Sequence, residues 1–269
     1  MTFDRVNAFR ELHAAGCFVI PNPWDVGSAR LLAQLGFKAL ATTSSGFAWS
    51  CGRPDHQVSL DDALEYFRTM AASADVPVSA DFEGAFATEP SDVALNAARA
   101  IATGIAGFSI EDSTGNSASP LFEFDLSVER VRAARRAIDE SGTGLLLTGR
   151  SEGFIAGRPD LSETIRRLTA YADAGADCLY APGLQNMQDI GSVVSAVAPK
   201  PVNVLVGTDF ATVKQLAELG VRRISVGGAL ARAAWTGFLA AAKEIAERGS
   251  FAGLSGTVAG GQLNQMFSR

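Results

Sequence analysis

Two acidic residues, two positions apart, follow a short apolar segment in the first half of the chain. The segment 76–85 reads VPVSADFEGA, so Asp81 and Glu83 come directly after its apolar residues. Residues two apart in a strand point to the same face, so both carboxylates project together from the end of a buried strand. Like charges this close repel unless a cation or a proton lies between them.

The same design recurs at residues 107–112, GFSIED, where an apolar strand ends in Glu111 and Asp112. Oxygen ligands at the ends of two successive strands suit a hard divalent cation such as Mg²⁺. The alternative is that these acids are solvated loop residues or helix N-caps. We predict that Asp81, Glu83 and Glu111 form a magnesium site, and we interpret Asp112 alone as a solvated or capping residue.

Composition restricts the class of protein. The chain has 269 residues, of which 47% are hydrophobic and 19% charged. This length and composition fit one domain over 1–269, since a single α/β barrel is typically ~250 residues. The net charge of −6, without a basic block, argues against nucleic acid and anionic membrane surfaces. No apolar run reaches the ~20 residues that span a bilayer.

Cysteine and histidine usage indicates the compartment and excludes one metal chemistry. The three cysteines are scattered without a CxxC pair, and no signal peptide is recognised, so we expect a cytoplasmic protein with reduced thiols. The two histidines, His13 and His56, are too few for a multi-histidine zinc site.

Short apolar strands and helical patterns alternate along the chain, and a glycine often ends each helix. Alternation of this kind predicts a parallel sheet, and eight units predict a (β/α)8 TIM barrel. An open doubly wound sheet is the alternative, although no GxGxxG follows the first strand. Residues 44–59 and 113–125 are predicted loops. The predicted strands are 17–20, 39–43, 76–81, 107–111, 145–148, 178–181, 202–205 and 223–226.

The active site of such a barrel lies at the carboxyl ends of its strands. The polar residues predicted there combine a carboxylate cluster, one cation and a cradle of hydroxyl and amide groups. This set suits a small anionic substrate chelated to Mg²⁺, because the metal stabilises a developing enolate and Arg150 holds carboxylate groups. Arg150 could instead only pair with Glu152 or Glu111. The set is Asn22, Trp24, Asp25, Thr42, Thr43, Ser44, Ser45, Gly46 with its backbone N–H groups, Asp81, Glu83, Glu111, Arg150, Glu152 and Asn203.

Six motifs, in order between residues 18 and 245, make the chain resemble the isocitrate lyase/phosphoenolpyruvate mutase superfamily: PNPWDVGSARLL, ATTSSGFAWSCGRPD, SADFEGAF, SIEDS, TGRSEGF and PVNVLVG. The resemblance implies a (β/α)8 barrel whose eighth helix is exchanged between subunits of a dimer within a tetramer. It also implies a Mg²⁺ cofactor. Members make or break C–C or C–P bonds next to a 2-oxo acid through an enolpyruvate-type intermediate.

The resemblance also assigns roles to individual residues. Asp81 resembles the principal Mg²⁺ ligand, acting largely through water, and Glu83 and Glu111 resemble its companions. The remaining assignments concern substrate and chemistry: Asp55 resembles the acid near the metal-bound water, Thr43, Ser44 and Ser45 the carboxylate cradle, Arg150 the arginine facing the reacting end, and Asn203 the asparagine on strand 7.

Two departures concern the part of the site that selects the reaction. The lid, residues 113–122, reads STGNSASPLF and lacks the Cys, Lys and His of the lyase lid, and strand 6 is followed by APG without the lyase Glu. A proton would then come from water, Glu123 or Tyr180. Our leading hypothesis is a Mg²⁺-dependent carbon–carbon lyase acting on a small 2-oxo or 2-hydroxy dicarboxylate by C–C cleavage or decarboxylation. The alternatives are a C–P mutase or phosphonopyruvate hydrolase, and a non-catalytic oxo-acid-binding protein.

The last long helical pattern, residues 229–247, is apolar around most of its circumference, with Trp235 and Phe238 among its members. Such a helix needs burial beyond its own barrel, so we expect a homo-oligomer, a dimer or a tetramer. Burial beneath the C-terminal tail is the alternative.

Overall fold

Eight parallel strands form one sheet in the computed structural model, which describes residues 4–268. Along the sheet their order is β1-β8-β7-β6-β5-β4-β3-β2, as in a barrel that is nearly closed. The predicted (β/α)8 TIM barrel is confirmed, and the open doubly wound alternative is wrong. The strands are β1 Phe18–Ile20, β2 Leu40–Ala41, β3 Val78–Asp81, β4 Gly107–Glu111, β5 Leu146–Arg150, β6 Cys178–Tyr180, β7 Val202–Leu205 and β8 Arg223–Ser225.

Helices alternate with these strands and cover the outside of the barrel. Most begin at a side chain that caps the first turn, such as Asp25, Ser59 or Asn186. The helices are α1 Arg5–Ala14, α2 Val26–Gln34, α3 Ser44–Ser50, α4 Leu60–Ser73, α5 Pro90–Ile101, α6 Phe124–Ser141, α7 Leu161–Asp173, α8 Met187–Ala196, α9 Val213–Glu218, α10 Ala229–Arg248 and α11 Gly260–Phe267.

Asn22, which follows β1, bonds to the segments that follow β2 and β8. Its amide nitrogen donates to the backbone oxygen of Thr42 at 2.9 Å, and its oxygen accepts from the backbone N–H groups of Val226 and Gly227 at 2.9 and 2.8 Å. The backbone N–H of Ala41 donates to the carbonyl of Pro21 at 3.1 Å. These bonds bring β1, β2 and β8 together where strand pairing is shortest. Asn22 is therefore a structural residue of the mouth.

The register places five polar side chains on one face across adjacent strands. Glu111 pairs with Arg150, Arg150 with Tyr180, Tyr180 with Asn203, and Asn203 with Arg223. Partners in a parallel sheet point to the same side, so this row faces the barrel interior. Barrel interiors are more often filled by bulky branched residues. These polar side chains therefore form a continuous row across the inside of the barrel, from β4 to β8.

The first helix covers the amino-terminal end of the barrel. Phe9 is fully buried and packs with Ile20, Ala39 and Leu146, which lie in or next to the first strands and β5. His13, one turn later, is also buried. Because α1 closes the amino-terminal end of the barrel, a cavity that opens at the opposite end is closed at its bottom.

One predicted loop contains a helix. Residues 44–59 include α3, which begins at the Thr43 N-cap. Gly46 explains why a segment rich in small residues folds tightly here, because an added Cβ would lie 2.7 Å from the Thr43 Cγ2 and 2.9 Å from the Trp24 Cβ. None of the helices in residues 4–268 combines the length and hydropathy needed to cross a bilayer.

Gly149 in β5 lies where the sheet packs closely against α7, so a substitution at this position tests that packing. A Cβ at this position would lie 2.9 Å from the Tyr171 Cβ and 3.2 Å from the Ala176 Cβ. We predict that Gly149→Ala lowers the free energy of unfolding by about 1–3 kcal/mol in denaturant titrations, because the core would be overpacked.

Gly191→Ala in α8 is the matched control. Its nearest atom would be the Leu219 Cδ2 at 3.7 Å, so the helical alanine should raise the free energy of unfolding by about 0.5–1 kcal/mol. A Gly149 variant at least as stable as the original protein would contradict the predicted crowding.

Candidate active site

A cavity of about 540 Å³ opens at the carboxyl ends of the strands. It is where the barrel fold places active sites. Of the predicted site residues, the cavity is lined by Asn22, Thr42, Thr43, Ser44, Ser45, Asp55, Asp81, Glu111, Arg150, Glu152 and Asn203. Glu83 lies beside it in an adjoining depression that it shares with Glu111 and His56. Trp24 does not line the cavity, because it packs behind α3 against Gly46.

Asp81 is held in place by bonds to the segment that follows β2 and to Arg150 on β5. Its backbone N–H donates to the Thr42 hydroxyl at 2.8 Å. Its Oδ2 accepts from the Ser44 backbone N–H at 3.1 Å and from the Ser44 hydroxyl at 3.0 Å, while its Oδ1 accepts from Arg150 Nη1 at 3.0 Å. The end of β2 therefore orients the first predicted metal ligand.

Arg150 lies among the acids at the rim. Its Nη1 is 3.2 Å from Glu111 Oε2, and its Nη2 donates to Glu152 Oε2 at 3.2 Å. The guanidinium also lies 5.3 Å from the centre of the Tyr180 ring. Burial favours the neutral form, but the surrounding carboxylates outweigh it and raise the pKa of Arg150 well above its usual value. The predicted ion pairing of Arg150 is real, and it lines the mouth.

The two buried glutamates beside Arg150 favour their neutral forms unless a cation stabilises the negative charge. Burial raises the pKa of Glu111 well above its usual value, and Arg150 opposes that shift. Burial likewise raises the pKa of Glu152, which is more than nine-tenths buried. Additional positive charge at this rim would therefore favour the ionised forms of both side chains.

Glu83 is paired with a histidine whose role the sequence did not indicate. His56 Nδ1 lies 3.2 Å from Glu83 Oε2, and His56 Nε2 lies 3.9 Å from Asp55. The hydrogen bond with Glu83 raises the pKa of His56 to about 9. The sequence signal for this role is the position of His56 directly after Asp55 in GRPDHQ.

The loop that carries Glu83 has an unusual backbone. Glu83, Ala85 and Phe86 have φ values of 49°, 57° and 54°, in the left-handed region that non-glycine residues rarely adopt. Arg130, 1% exposed, donates to the backbone oxygens of Gly84 and Thr88 at 2.6 and 2.9 Å. A buried arginine thus fixes the strained loop from below.

The donor set fits a divalent cation held partly through water. With Glu83 paired to His56, the three carboxylates of Asp81, Glu111 and Glu152 face one guanidinium, that of Arg150. If all are ionised, two negative charges remain, which a divalent cation would balance. Within residues 4–268, no three His, Cys, Asp or Glu side chains converge closely enough to ligate one ion directly. The Asp81, Glu83 and Glu111 site remains a prediction.

The hydroxyl cradle is present, with one difference. Thr43 Oγ1 and Ser45 Oγ lie 3.1 Å apart at the cavity wall. The backbone N–H of Gly46 donates to Thr43 Oγ1 at 3.4 Å, so it is used as a helix cap and is not free for a ligand. The cradle therefore offers side-chain hydroxyls, which are the donors that bind carboxylate oxygens.

Asp112 is neither solvated nor a helix cap. It is 2% exposed, and its Oδ2 accepts from Tyr171 at 2.8 Å and from Arg167 at 3.0 Å. Its Oδ1 accepts from the backbone N–H of Glu152 at 2.8 Å. The interpretation of Asp112 from sequence is wrong, because two side chains of α7 and the backbone that follows β5 all bond to this buried carboxylate. It orients the segment that carries Glu152.

The predicted lid is a hairpin that covers the rim. A β-bridge joins Ser113 to Leu121, and the Thr114 backbone N–H donates to Pro120 O at 3.0 Å. Gly115, Asn116 and Ser117 line the cavity together with the ends of this hairpin.

The sequence model of the phosphoenolpyruvate phosphomutase family matches residues 9–246. The chain belongs to this family. The predicted superfamily and an enzyme of the isocitrate lyase/phosphoenolpyruvate mutase type are thereby confirmed.

Three known proteins illustrate the likeness. A crystal structure of a Burkholderia cenocepacia protein, provisionally classed as a lyase or mutase, is 46% identical with a TM-score of 0.96, covering 98% of this chain and 96% of that one. An oxaloacetate decarboxylase of Pseudomonas putida is 28% identical over 82% of this chain and 78% of its own. A 2,3-dimethylmalate lyase of the PEP mutase/isocitrate lyase superfamily is 25% identical with a TM-score of 0.84, covering 97% and 92%.

His13 beneath the cavity predicts a pH effect. Burial, reinforced by Arg223, lowers its pKa to about 3, whereas an unfolded histidine has a pKa near 6.5. The unfolded state therefore binds more protons below pH ~6.5, and stability falls as pH drops from there towards 3.

We predict that His13→Gln removes about 2 kcal/mol of the stability loss between pH 7 and pH 5, measured as unfolding free energy at both values. The glutamine keeps an acceptor without titrating. Identical pH dependence in the two proteins would contradict the lowered pKa, because it would mean that His13 binds protons equally in the folded and unfolded states.

Proposed function

We propose that this protein is a Mg²⁺-dependent carbon–carbon lyase that acts on a small 2-oxo or 2-hydroxy dicarboxylate through an enolpyruvate-type intermediate, by C–C cleavage or decarboxylation. One observation carries the proposal. A single cavity is lined both by a buried acidic cluster around Arg150 and by the hydroxyls of Thr43 and Ser45. Oxaloacetate is the first substrate to test, because a relative that aligns over most of this chain is an oxaloacetate decarboxylase. The alternatives, a C–P mutase or phosphonopyruvate hydrolase and a non-catalytic oxo-acid-binding protein, are not better supported than the C–C lyase.

Each group has a role that follows from its position. Asp81, Glu83 and Glu111 would hold the Mg²⁺, which when bound draws negative charge onto the 2-oxo oxygen and the adjacent carboxylate. Thr43 and Ser45 donate hydrogen bonds to that carboxylate. Arg150 faces the reacting end of the substrate. The electron pair of the broken C–C bond stays on the carbon next to the oxo group, and it must then take up a proton.

Tyr180 is the better placed of the two proton sources considered from sequence. It lines the cavity, and burial raises the pKa of its hydroxyl to about 12, so the hydroxyl is protonated at neutral pH. Glu123 lies directly before α6 and does not line the cavity. The hairpin over the rim contains no acid and would serve to exclude water.

Asp81 provides the test of metal-dependent chemistry. We predict that Asp81→Asn lowers Mg²⁺-dependent turnover of oxaloacetate by roughly 100-fold or more, because the metal loses a charged ligand while the bonds to Ser44 can persist. Mg²⁺ affinity by calorimetry should fall in parallel, and thermal stability should change little.

Asp75→Asn is the control, since this exposed acid lies outside the cavity. The panel of substrates should include a methylisocitrate and phosphonopyruvate. Unchanged Mg²⁺ affinity in the Asp81 variant would refute the ligand assignment, and turnover of phosphonopyruvate alone would replace a C–C lyase with a C–P enzyme.

Assembly is part of the proposal. In the single chain, α10 buries only Ala231, while Phe238 is 60% exposed and Leu239 47%. Exposed apolar area on this scale marks an interface. We propose that α10 packs against a second copy of the chain, as in the helix exchange expected of the superfamily, within a dimer or tetramer.

Light scattering after size exclusion at micromolar concentration tests this assembly. We predict a mass of at least two chains, and a shift of Phe238→Asp towards smaller species, because a charge would enter the buried interface. Leu95→Asp is the control, since Leu95 is 66% exposed on α5. A monomeric mass for the unaltered protein would contradict the proposed assembly.

A further inference from the structure

The cavity has two ends of opposite chemistry. Its rim carries the carboxylates already described. Its floor, defined here by Ser79, Ser109, Arg223 and Ser225, lies deeper in the barrel and carries only hydroxyls and one guanidinium. The floor can therefore donate many hydrogen bonds, and it carries no carboxylate to accept them. No step of the proposed reaction uses these four residues.

Arg223 is a buried cation without a carboxylate partner. It is 5% exposed, and no Asp or Glu side chain within residues 4–268 lies within 4.0 Å of its nitrogens. Its hydrogen-bond partners are neutral: Asn203 Oδ1 at 2.9 Å, Thr148 Oγ1 at 3.0 Å and His13 Nε2 at 3.3 Å. A buried charge is costly when it is unpaired, so this position favours an anion.

The partners of Arg223 leave part of its hydrogen-bonding capacity free. A guanidinium has five N–H donors, and the three bonds use one on each nitrogen. His13 is a neutral partner and supplies no negative charge. Its Nδ1 lies 2.7 Å from the Phe9 carbonyl and must carry the proton, so its Nε2 is the acceptor that faces Arg223. One N–H on each terminal nitrogen of Arg223 therefore remains for a ligand.

Two serines that line the same cavity as Arg223 also lack hydrogen-bond partners. Among residues 4–268, neither the Ser79 nor the Ser109 hydroxyl has a hydrogen-bond partner, although Ser79 is only 5% exposed. Ser225 Oγ accepts from Asn203 at 2.9 Å and also forms a hydrogen bond with the Tyr180 side chain. The three serines and Arg223 line one cavity.

We propose that the cavity floor is a binding site for a carboxylate group, held by Arg223 with Ser79, Ser109 and Ser225. A carboxylate has the charge that Arg223 lacks, and its two oxygens match a guanidinium and flanking hydroxyls. The further assignment, that the group bound at this floor is the second carboxylate of the substrate, rests on the proposed function. Binding of a carboxylate at this floor requires neither Mg²⁺ nor turnover.

Calorimetric titration with malonate in EDTA tests the floor directly. We expect Arg223→Gln to weaken malonate binding about tenfold or more, because charge-assisted bonds are lost. Ser79→Ala should weaken it about two- to tenfold, and it breaks no bond within the protein. Arg222→Gln, which removes the adjacent arginine that donates to the Gly16 carbonyl and does not line the cavity, should leave affinity unchanged.

Equal malonate affinity in the Ser79→Ala protein and the original protein would overturn the proposal, and so would affinity lost only in an Arg150→Gln variant. If Arg223→Gln does not fold, Ser79→Ala combined with Ser109→Ala decides in its place. Failure of the proposed function is separate, because it would appear as absent oxaloacetate turnover with Mg²⁺ while malonate still binds in EDTA.

Discussion

The site depends on one buried interaction, the guanidinium of Arg150 among three carboxylates. Removing four charged groups from water costs more than a single ion pair returns, so such a cluster is weak evidence for stability. Its geometry is nevertheless well determined, since Asp81, Glu111 and Glu152 each contact the same side chain. The cluster is better understood as an arrangement maintained for a ligand that completes its charge balance.

The barrel register explains how one side chain can reach these acids. Glu111 and Arg150 are direct partners across β4 and β5, and Asp81 ends the neighbouring strand β3. Continuing in register leads through Tyr180 and Asn203 to Arg223, which lies at the floor. Rim and floor are thus two ends of one row of side chains. A change in strand register would separate all of these residues together.

The sequence predicted the barrel and most of the rim because both depend on local patterns. Apolar strands followed by carboxylates are visible in the chain, and β4 and β7 have the bounds expected. The floor was not predicted, since Arg223 and Ser225 occur within the strand RIS, where alternation with Ile224 indicates only a strand. The partner of Asp112 was also hidden, because Arg167 lies 55 residues away and only the fold brings them together.

The hairpin over the rim bears on where the chemistry is done. Its own hydrogen bonds define its shape, but it contains no side chain that could transfer a proton to carbon at neutral pH. In the proposed reaction the proton would then come from water or from a group on the barrel wall, such as Tyr180 on β6. A strand residue is held more rigidly than a loop residue, so closure of the hairpin and delivery of the proton need not be one event. In this site the loop would control access by water, while the barrel controls the reaction.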